Sequence, residues 1–148
     1  MFDLKKIHEM WATDSQIDNM KLDEASRLTP MLHSKYLSLL STTKLQLKKS
    51  EHQQKILLRD KWLWYNGKMS KEKMDSLGWT YDPTDGLKIL KGEMDYYYNS
   101  DLDIQKSEEK IQYYKTLIEV LTEIIDNLKW RHQTIRNIIS WKQFESGS

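Results

Sequence analysis

The spacing of apolar residues divides the chain into helices of unequal length. Leu4 to Trp11 reads as a short amphipathic helix, followed by a turn around Asp14 to Asp18. Residues 19–29 predict a second short helix that ends at or before Pro30, because proline disfavours helix in the residue before it. From Met31 to Tyr65 there is no Gly or Pro and leucine is abundant, so a long helix is expected, stopped by Asn66-Gly67. Residues 68–100 are crowded with turn signals: Leu77-Gly78-Trp79, Asp82-Pro83-Thr84-Asp85-Gly86 and Lys91-Gly92. Within them, Leu87 to Leu90 fits either a short strand or one helical turn. From Leu102 to Phe144 no breaker interrupts the pattern, and one helix of roughly 60 Å is predicted.

That last segment has the clearest periodicity. Ile104, Ile111, Ile118, Ile125 and Ile139 recur at seven-residue spacing, with His132 standing in the series as a half-buried polar residue or a register device. Tyr114, Leu121, Leu128 and Ile135 follow three places later, and Leu117, Ile124 and Ile138 widen the stripe. So wide an apolar face needs several neighbouring helices. Either the chain's own bundle covers it or other subunits do. On the second reading Ile111, Ile118, Leu121, Ile125, Leu128, Ile135 and Ile139 form an oligomerisation face. The expected fold is all-α: two long helices, short N-terminal helices and an irregular middle segment. It would be one domain, 1–148, with N-terminal helices over 1–67, an irregular acidic segment over 68–101 and an oligomerisation helix over 102–145.

Composition narrows the class. Of 148 residues, 39% are hydrophobic and 30% charged, so the core is thin, and six Trp with eight Tyr supply bulk. Five Gly and two Pro are too few for a turn-rich sandwich or barrel. The lack of cysteine excludes disulfides, thiolate metal sites and thiol catalysis and fits a reducing interior. The opening MFDLKKIHEM lacks the apolar core of a signal peptide, and no apolar run approaches the roughly 18 residues of a membrane span. An intracellular, soluble protein with no membrane association is expected.

Net charge is +1, yet the balance lies between segments. Residues 44–73 carry 9 basic and 3 acidic groups, +6, whereas residues 74–109 carry 3 and 9, −6. Adjacent opposite blocks suggest an internal clamp or docking to separate partners. At 100° per residue Lys44, Lys48, Lys55 and Arg59 share one narrow face of the long helix, joined by Trp62 and diluted by Glu51. Beyond it, Lys61, Trp62, Trp64, Tyr65 and Lys68 mix cations with aromatics. Single-stranded nucleic acid calls for this mixture, cations for phosphates and rings for bases. An anionic protein surface, or a plain solvated face, fits the same residues. Tyr96-Tyr97-Tyr98 could stack bases or pack the irregular segment. The four histidines stand apart, the spacing of Asp82, Asp85, Asp101, Asp103, Glu108 and Glu109 matches no EF-hand, and there is no phosphate-binding loop GxxxxGK[ST] or nucleophile elbow GxSxG. No catalytic residue, metal ligand or cofactor is therefore assigned.

Several segments resemble the UvsY family of phage recombination mediators: Met31-Leu32-His33-Ser34-Lys35-Tyr36-Leu37, the run from Glu51 to Gly67, and the ending from Ile135 through Phe144-Glu145-Ser146-Gly147. Their order and spacing carry the resemblance over most of the chain, least between Met69 and Leu90. It implies a ring-like homo-oligomer, hexamer or heptamer, that binds single-stranded DNA. It further implies loading of a RecA-like recombinase onto strands covered by single-stranded-DNA-binding protein, in phage recombination, repair and replication inside the infected host cell. The family's motif of Leu, basic, any, basic, then two aromatics falls on Leu58-Arg59-Asp60-Lys61 with Trp64 and Tyr65, which gives Arg59 and Lys61 the DNA-contact role. Two departures stand out: Asp60, at the free position, places an acid between the cations and weakens the local field, and Trp64 stands where the family's pattern has tyrosine. On an ideal helix Lys61 projects roughly 160° from Arg59. A structural helical assembly protein docking acidic partners is the rival from another class.

Overall fold

The computed structural model describes residues 3–147, and among these there are six helices and no strand. They are α1 (Leu4–Asp14), α2 (Leu22–Tyr65), α3 (Lys71–Leu77), α4 (Met94–Ser100), α5 (Leu102–Lys129) and α6 (Arg131–Glu145). The all-α class follows the sequence pattern, with four local corrections.

The helix expected to end before Pro30 does not end there, for α2 runs 44 residues with Pro30 inside it. Proline removes one ladder bond at a cost of about 3 kcal/mol. Its neighbour Thr29 turns its hydroxyl onto the Ala25 carbonyl at 3.0 Å, and Ala25 and Tyr36 on either side are buried. Burial on both flanks outweighs the local preference. The segment 68–100 is less irregular than expected, holding α3 and α4, each seven residues long. Leu87 to Leu90 is neither strand nor helical turn.

The long C-terminal helix is interrupted at Trp130. There the ladder tightens: Trp130 N–H donates to the Asn127 carbonyl at 3.1 Å and Gln133 N–H to the Trp130 carbonyl at 3.0 Å. His132 places Nδ1 2.9 Å from the Lys129 carbonyl oxygen and is exposed, so it is neither a core residue nor a register device. Arg131 is buried, and its guanidinium donates to the carbonyls of Asp14 and Gln16 at 3.1 and 3.2 Å. That anchor and the His132 contact accompany the tightened turn.

The chain forms two compact units, one of Met1–Leu45 with Tyr114–Ser148 and one of Gln46–Tyr113. In the first, α1 starts at Asp3, whose side chain accepts the Lys6 N–H at 2.7 Å, and buries Ile7. The core there combines Ile7, Tyr36 and Leu40 with Leu117, Leu121, Ile124, Ile125, Leu128 and Ile135. A half-buried polar pin at its edge helps hold it: Asp14 accepts from Lys35 Nζ at 2.7 Å and from the Tyr36 hydroxyl at 2.8 Å. Burial alone would raise the Asp14 pKa. The hydrogen bonds from Lys35 and Tyr36, with the charges of Lys35 and Arg131, outweigh it and hold the carboxyl below its ordinary value.

The apolar stripe thus belongs mainly to the chain's own core. Leu121, Ile125, Leu128 and Ile135 are buried in the first unit and Ile111 in the second, so these five residues do not offer a free oligomerisation face. Ile118 is half-buried, and Ile139 is 41% exposed. What α6 leaves in solvent is Ile139 with Trp141 and Phe144, whose rings stack at 5.6 Å.

Candidate nucleic-acid interface

The second unit is built around the end of α2. Leu63 and Trp64 lend their carbonyls to the N–H groups of Lys68 (2.8 Å) and Gly67 (3.2 Å), and Gly67 takes φ 70° to make that closure possible. The helix therefore ends where Asn66-Gly67 predicts, with the Leu63 and Trp64 carbonyls of its last turn paired. Serine 70 then caps α3 by accepting from Lys73 N–H at 3.2 Å. Buried Met69 and Met74 join Ile104 and Ile111 as the apolar part of this small core.

The remainder of that core is polar, and it contains Lys61. This side chain is 3% exposed, and its ammonium lies 3.1 Å from Asp101 and 2.8 Å from Asp103. It also lies over two indoles, 4.4 Å from the Trp64 ring centre and 4.1 Å from that of Trp79. Asp101 works in three directions. One carboxylate oxygen accepts the Ile104 N–H at 3.0 Å, capping α5, and the other accepts the Tyr65 hydroxyl at 2.6 Å besides facing Lys61. Burial would raise the Asp101 pKa. The bonds from Tyr65, Ile104 and Lys61, with the Lys61 charge, reverse this and keep it lowered. Burial and the Asp101 bond push the Tyr65 hydroxyl well above its ordinary value.

Lys61 is consequently no surface cation. The DNA-contact role implied for it conflicts with its position, because two carboxylates and two rings already enclose the ammonium. Trp64 and Tyr65 belong to the same cluster: the Trp64 ring N–H donates to the Thr80 carbonyl at 2.7 Å, and Tyr65 packs on Trp64 and Tyr97 at 4.8 and 5.4 Å. Both are half-buried supports of the unit. Tyr97 and Tyr98 pack as well, the latter's hydroxyl donating to the Leu58 carbonyl, whereas Tyr96 is left exposed. The internal clamp suggested by the opposed charge blocks is realised here, between Lys61 and Asp101 with Asp103.

Arg59 lies on the other side of α2 and is 65% exposed. Its guanidinium reaches back to Asp60 at 3.2 Å, which fixes its direction and offsets part of its charge. Lys48, Lys55 and Trp62 are exposed on the same face, and Lys68 sets its ammonium 4.7 Å from the Trp62 ring centre. Lys44 is exposed on α2 within the first unit. In the second unit the structure thus brings Lys48, Lys55, Arg59, Trp62 and Lys68 to solvent and withdraws Lys61, Trp64 and Tyr65. The residues missed by sequence reasoning are the partners of Lys61, namely Trp79, Asp101 and Asp103. A capping signal could have found one of them, since Asp101 stands just ahead of the α5 pattern. Among the described residues no group of three or more His, Asp or Glu could hold a metal ion, and no helix is long and apolar enough to cross a membrane.

Fold and site together define a class: an all-helical protein that turns cations and one indole outward from a single helix while engaging acids of the neighbouring segment internally. Comparison with known proteins refines the class. Residues 10–148 match the family described as recombination, repair and ssDNA binding protein UvsY, and the chain belongs to that family. The recombination protein uvsY of Enterobacteria phage T4 is 27% identical over 144 residues, 97% of this chain and 98% of that protein. Two crystal structures of the bacteriophage T4 recombination mediator protein UvsY are similar in fold. Lattice type II has a TM-score of 0.82 at 25% identity over 99% of both chains, and lattice type I has 0.79 at 26% over 93% and 97%.

Proposed function

We propose that this protein is a recombination mediator that binds single-stranded DNA along the exposed face of α2 and acts without catalysing a reaction. Lys48, Lys55, Arg59 and Lys68 would follow the phosphates, and Trp62 would stack on a base. The observation that carries the reading is the exposure of Arg59 and Trp62 on one face, in a member of a single-stranded-DNA-binding family, with the neighbouring acids Asp101 and Asp103 paired to Lys61. Arg59 retains the DNA-contact role, and Lys61 instead positions the helix that displays it.

One such strip is a weak ligand for a strand. A homo-oligomer, with subunits arranged as a ring, would repeat it along a common path, each engaged subunit raising the effective concentration for the next. The exposed pair Trp141 and Phe144 on α6 supports self-association better than the buried heptad positions do. Holding the strand in this way would allow a RecA-like recombinase to load where single-stranded-DNA-binding protein had covered it. The test is fluorescence anisotropy of labelled single- and double-stranded oligonucleotides over a salt series, followed by recombinase loading on protein-covered strands. Tighter binding to the single strand that weakens with salt is expected. Salt-independent binding, or binding unchanged by Arg59→Ala, would overturn the assignment of the face.

A further inference from the structure

Just past the end of α2 the surface folds into a cavity of about 430 Å³, lined by Tyr65, Asn66 and Lys68 on one side and by Leu87, Lys88 and Ile89 on the other. Its size falls in the range of small-molecule sites, roughly 300–1,000 Å³. The far wall is a pinned turn. Asp82 accepts the Gly86 N–H at 2.9 Å, Thr84 donates its hydroxyl to the Leu87 carbonyl at 2.8 Å, and the Leu87 N–H returns to the Thr84 carbonyl at 3.1 Å. The near wall is equally fixed, because the Tyr65 hydroxyl is held by Asp101 and its ring by Trp64 and Tyr97. Two lysines, Lys68 and Lys88, one from each of the two chain segments, therefore line a hollow whose walls include an aromatic residue and two aliphatic residues. Leu87 is 68% exposed and Ile89 half-buried, so both aliphatic side chains remain accessible from the hollow.

Cations beside apolar and aromatic walls suit a nucleotide, a charged phosphate joined to a flat, largely apolar base. The hollow is also continuous with the proposed DNA face, since Lys68 lines it and at the same time lies 4.7 Å from the exposed Trp62 ring centre. Asp82 also lines it but its carboxylate is engaged with the turn, and the Leu63 and Trp64 carbonyls in the last turn of α2 are taken by the Lys68 and Gly67 N–H groups. The negative end of the helix is therefore partly quenched where a phosphate would approach.

We propose that this cavity is a nucleotide subsite: Lys68 and Lys88 hold phosphates of a single strand leaving the α2 face, and Tyr65, Leu87 and Ile89 receive one of its bases. The subsite rests on the DNA-binding role proposed above and adds Lys88 and the turn 82–89 to it. The test uses full-length protein. A uniform thymidine oligonucleotide is titrated by anisotropy against wild type, Lys88→Ala, Lys88→Arg and Arg59→Ala, across salt. An oligonucleotide carrying 5-iodouracil is photo-crosslinked to wild type and the attached peptides are identified by mass spectrometry.

Lys88→Ala is expected to weaken binding about five-fold at moderate salt and to lower the salt slope by about 0.7 for each engaged subunit, with Lys88→Arg restoring both. Crosslinks are expected within 82–89. Lys88→Ala binding like wild type, or crosslinks confined to residues 48–62 of α2, would overturn the subsite while leaving the α2 face intact if Arg59→Ala still weakens binding. Absence of single-strand binding by wild type would overturn the proposed function, and the subsite with it. Because Lys88 is exposed and outside every helix, a folding defect is not expected, and the crosslinking arm is independent of any variant.

Discussion

Replacing Lys61 by alanine should damage the fold far more than it damages DNA contact. The side chain is 3% exposed and neutralises Asp101, itself 4% exposed, as well as the more open Asp103. Removing it leaves the buried Asp101 carboxylate facing Asp103 with no cation between them and empties the space against Trp64 and Trp79. Breaking a buried pair from one side costs about 3–5 kcal/mol. For a chain of this size each kcal/mol moves Tm by roughly 2–4 °C, so a fall on the order of 10–15 °C is expected. Thermal circular dichroism at fixed protein concentration measures it. The companion Arg59→Ala, at an exposed position, should change stability by no more than about 0.5 kcal/mol. The triple variant Lys61→Met, Asp101→Asn, Asp103→Asn should recover much of the loss, because it removes the charges together. The reasoning fails if Lys61→Ala melts within about 2 °C of wild type. It fails doubly if that same variant, at a temperature where it is folded, has lost single-strand binding while Arg59→Ala keeps it, for then the Lys61 ammonium and not the displayed face reaches phosphate.

Three further outcomes follow from the geometry. Asp14 and Asp101 have folded-state pKa values below the ordinary 3.8, so their stabilisation is complete above that value and is lost as pH falls through the lower folded values. Denaturant midpoints should therefore drop in strong acid, and Asp101→Asn, less stable at neutral pH, should flatten that acid limb; an unchanged limb would refute the assignment. Trp62→Ala should weaken single-strand binding by about 1–3 kcal/mol with Trp62→Phe retaining most of it, whereas equal losses in both, read by anisotropy, would show that ring stacking is not involved. Combined Trp141→Ser and Phe144→Ser should lower the solution mass by light scattering with little loss of helix, while Leu121→Ala should cost about 2–5 kcal/mol of stability as a core truncation; an unchanged mass would remove α6 from the assembly.

The long helix ending at Tyr65 was legible because Met31 to Tyr65 holds no Gly or Pro and is rich in Leu, the C-terminal helical region because of its seven-residue apolar series, and the end of α2 because Asn66-Gly67 supplies a closure that needs positive φ. What was not legible depended on partners distant in sequence. No residue near Trp130 breaks helices, and the anchor beside the interruption, Arg131 with Asp14 and Gln16, spans 117 and 115 positions. Pro30 misled in the opposite direction, since a local rule was overridden by burial around it. The candidate site divides along the same line. Helical projection correctly separated Arg59 from Lys61, but a motif treats both as cations and cannot see that Asp103 waits 42 positions away.

That separation also bears on how a chain with a net charge of +1 can hold an anion. Charges more than about 8 Å apart in physiological salt are largely screened, so a phosphate responds to its immediate neighbours and not to the chain's sum. Of the nine acids in 74–109, Asp101 and Asp103 face Lys61, Asp75 accepts from the Tyr81 hydroxyl, and Asp82 accepts from Gly86 N–H. These four are committed locally. On the α2 face Asp60 is mostly buried and directs Arg59, and Glu51, half-buried, is the acid that shares the face with Lys48 and Lys55. Pairing a buried lysine with two acids thus accomplishes two things at once. It closes the small core that lacks enough apolar residues to close itself, and it removes two negative charges from competition with a strand for the exposed lysines.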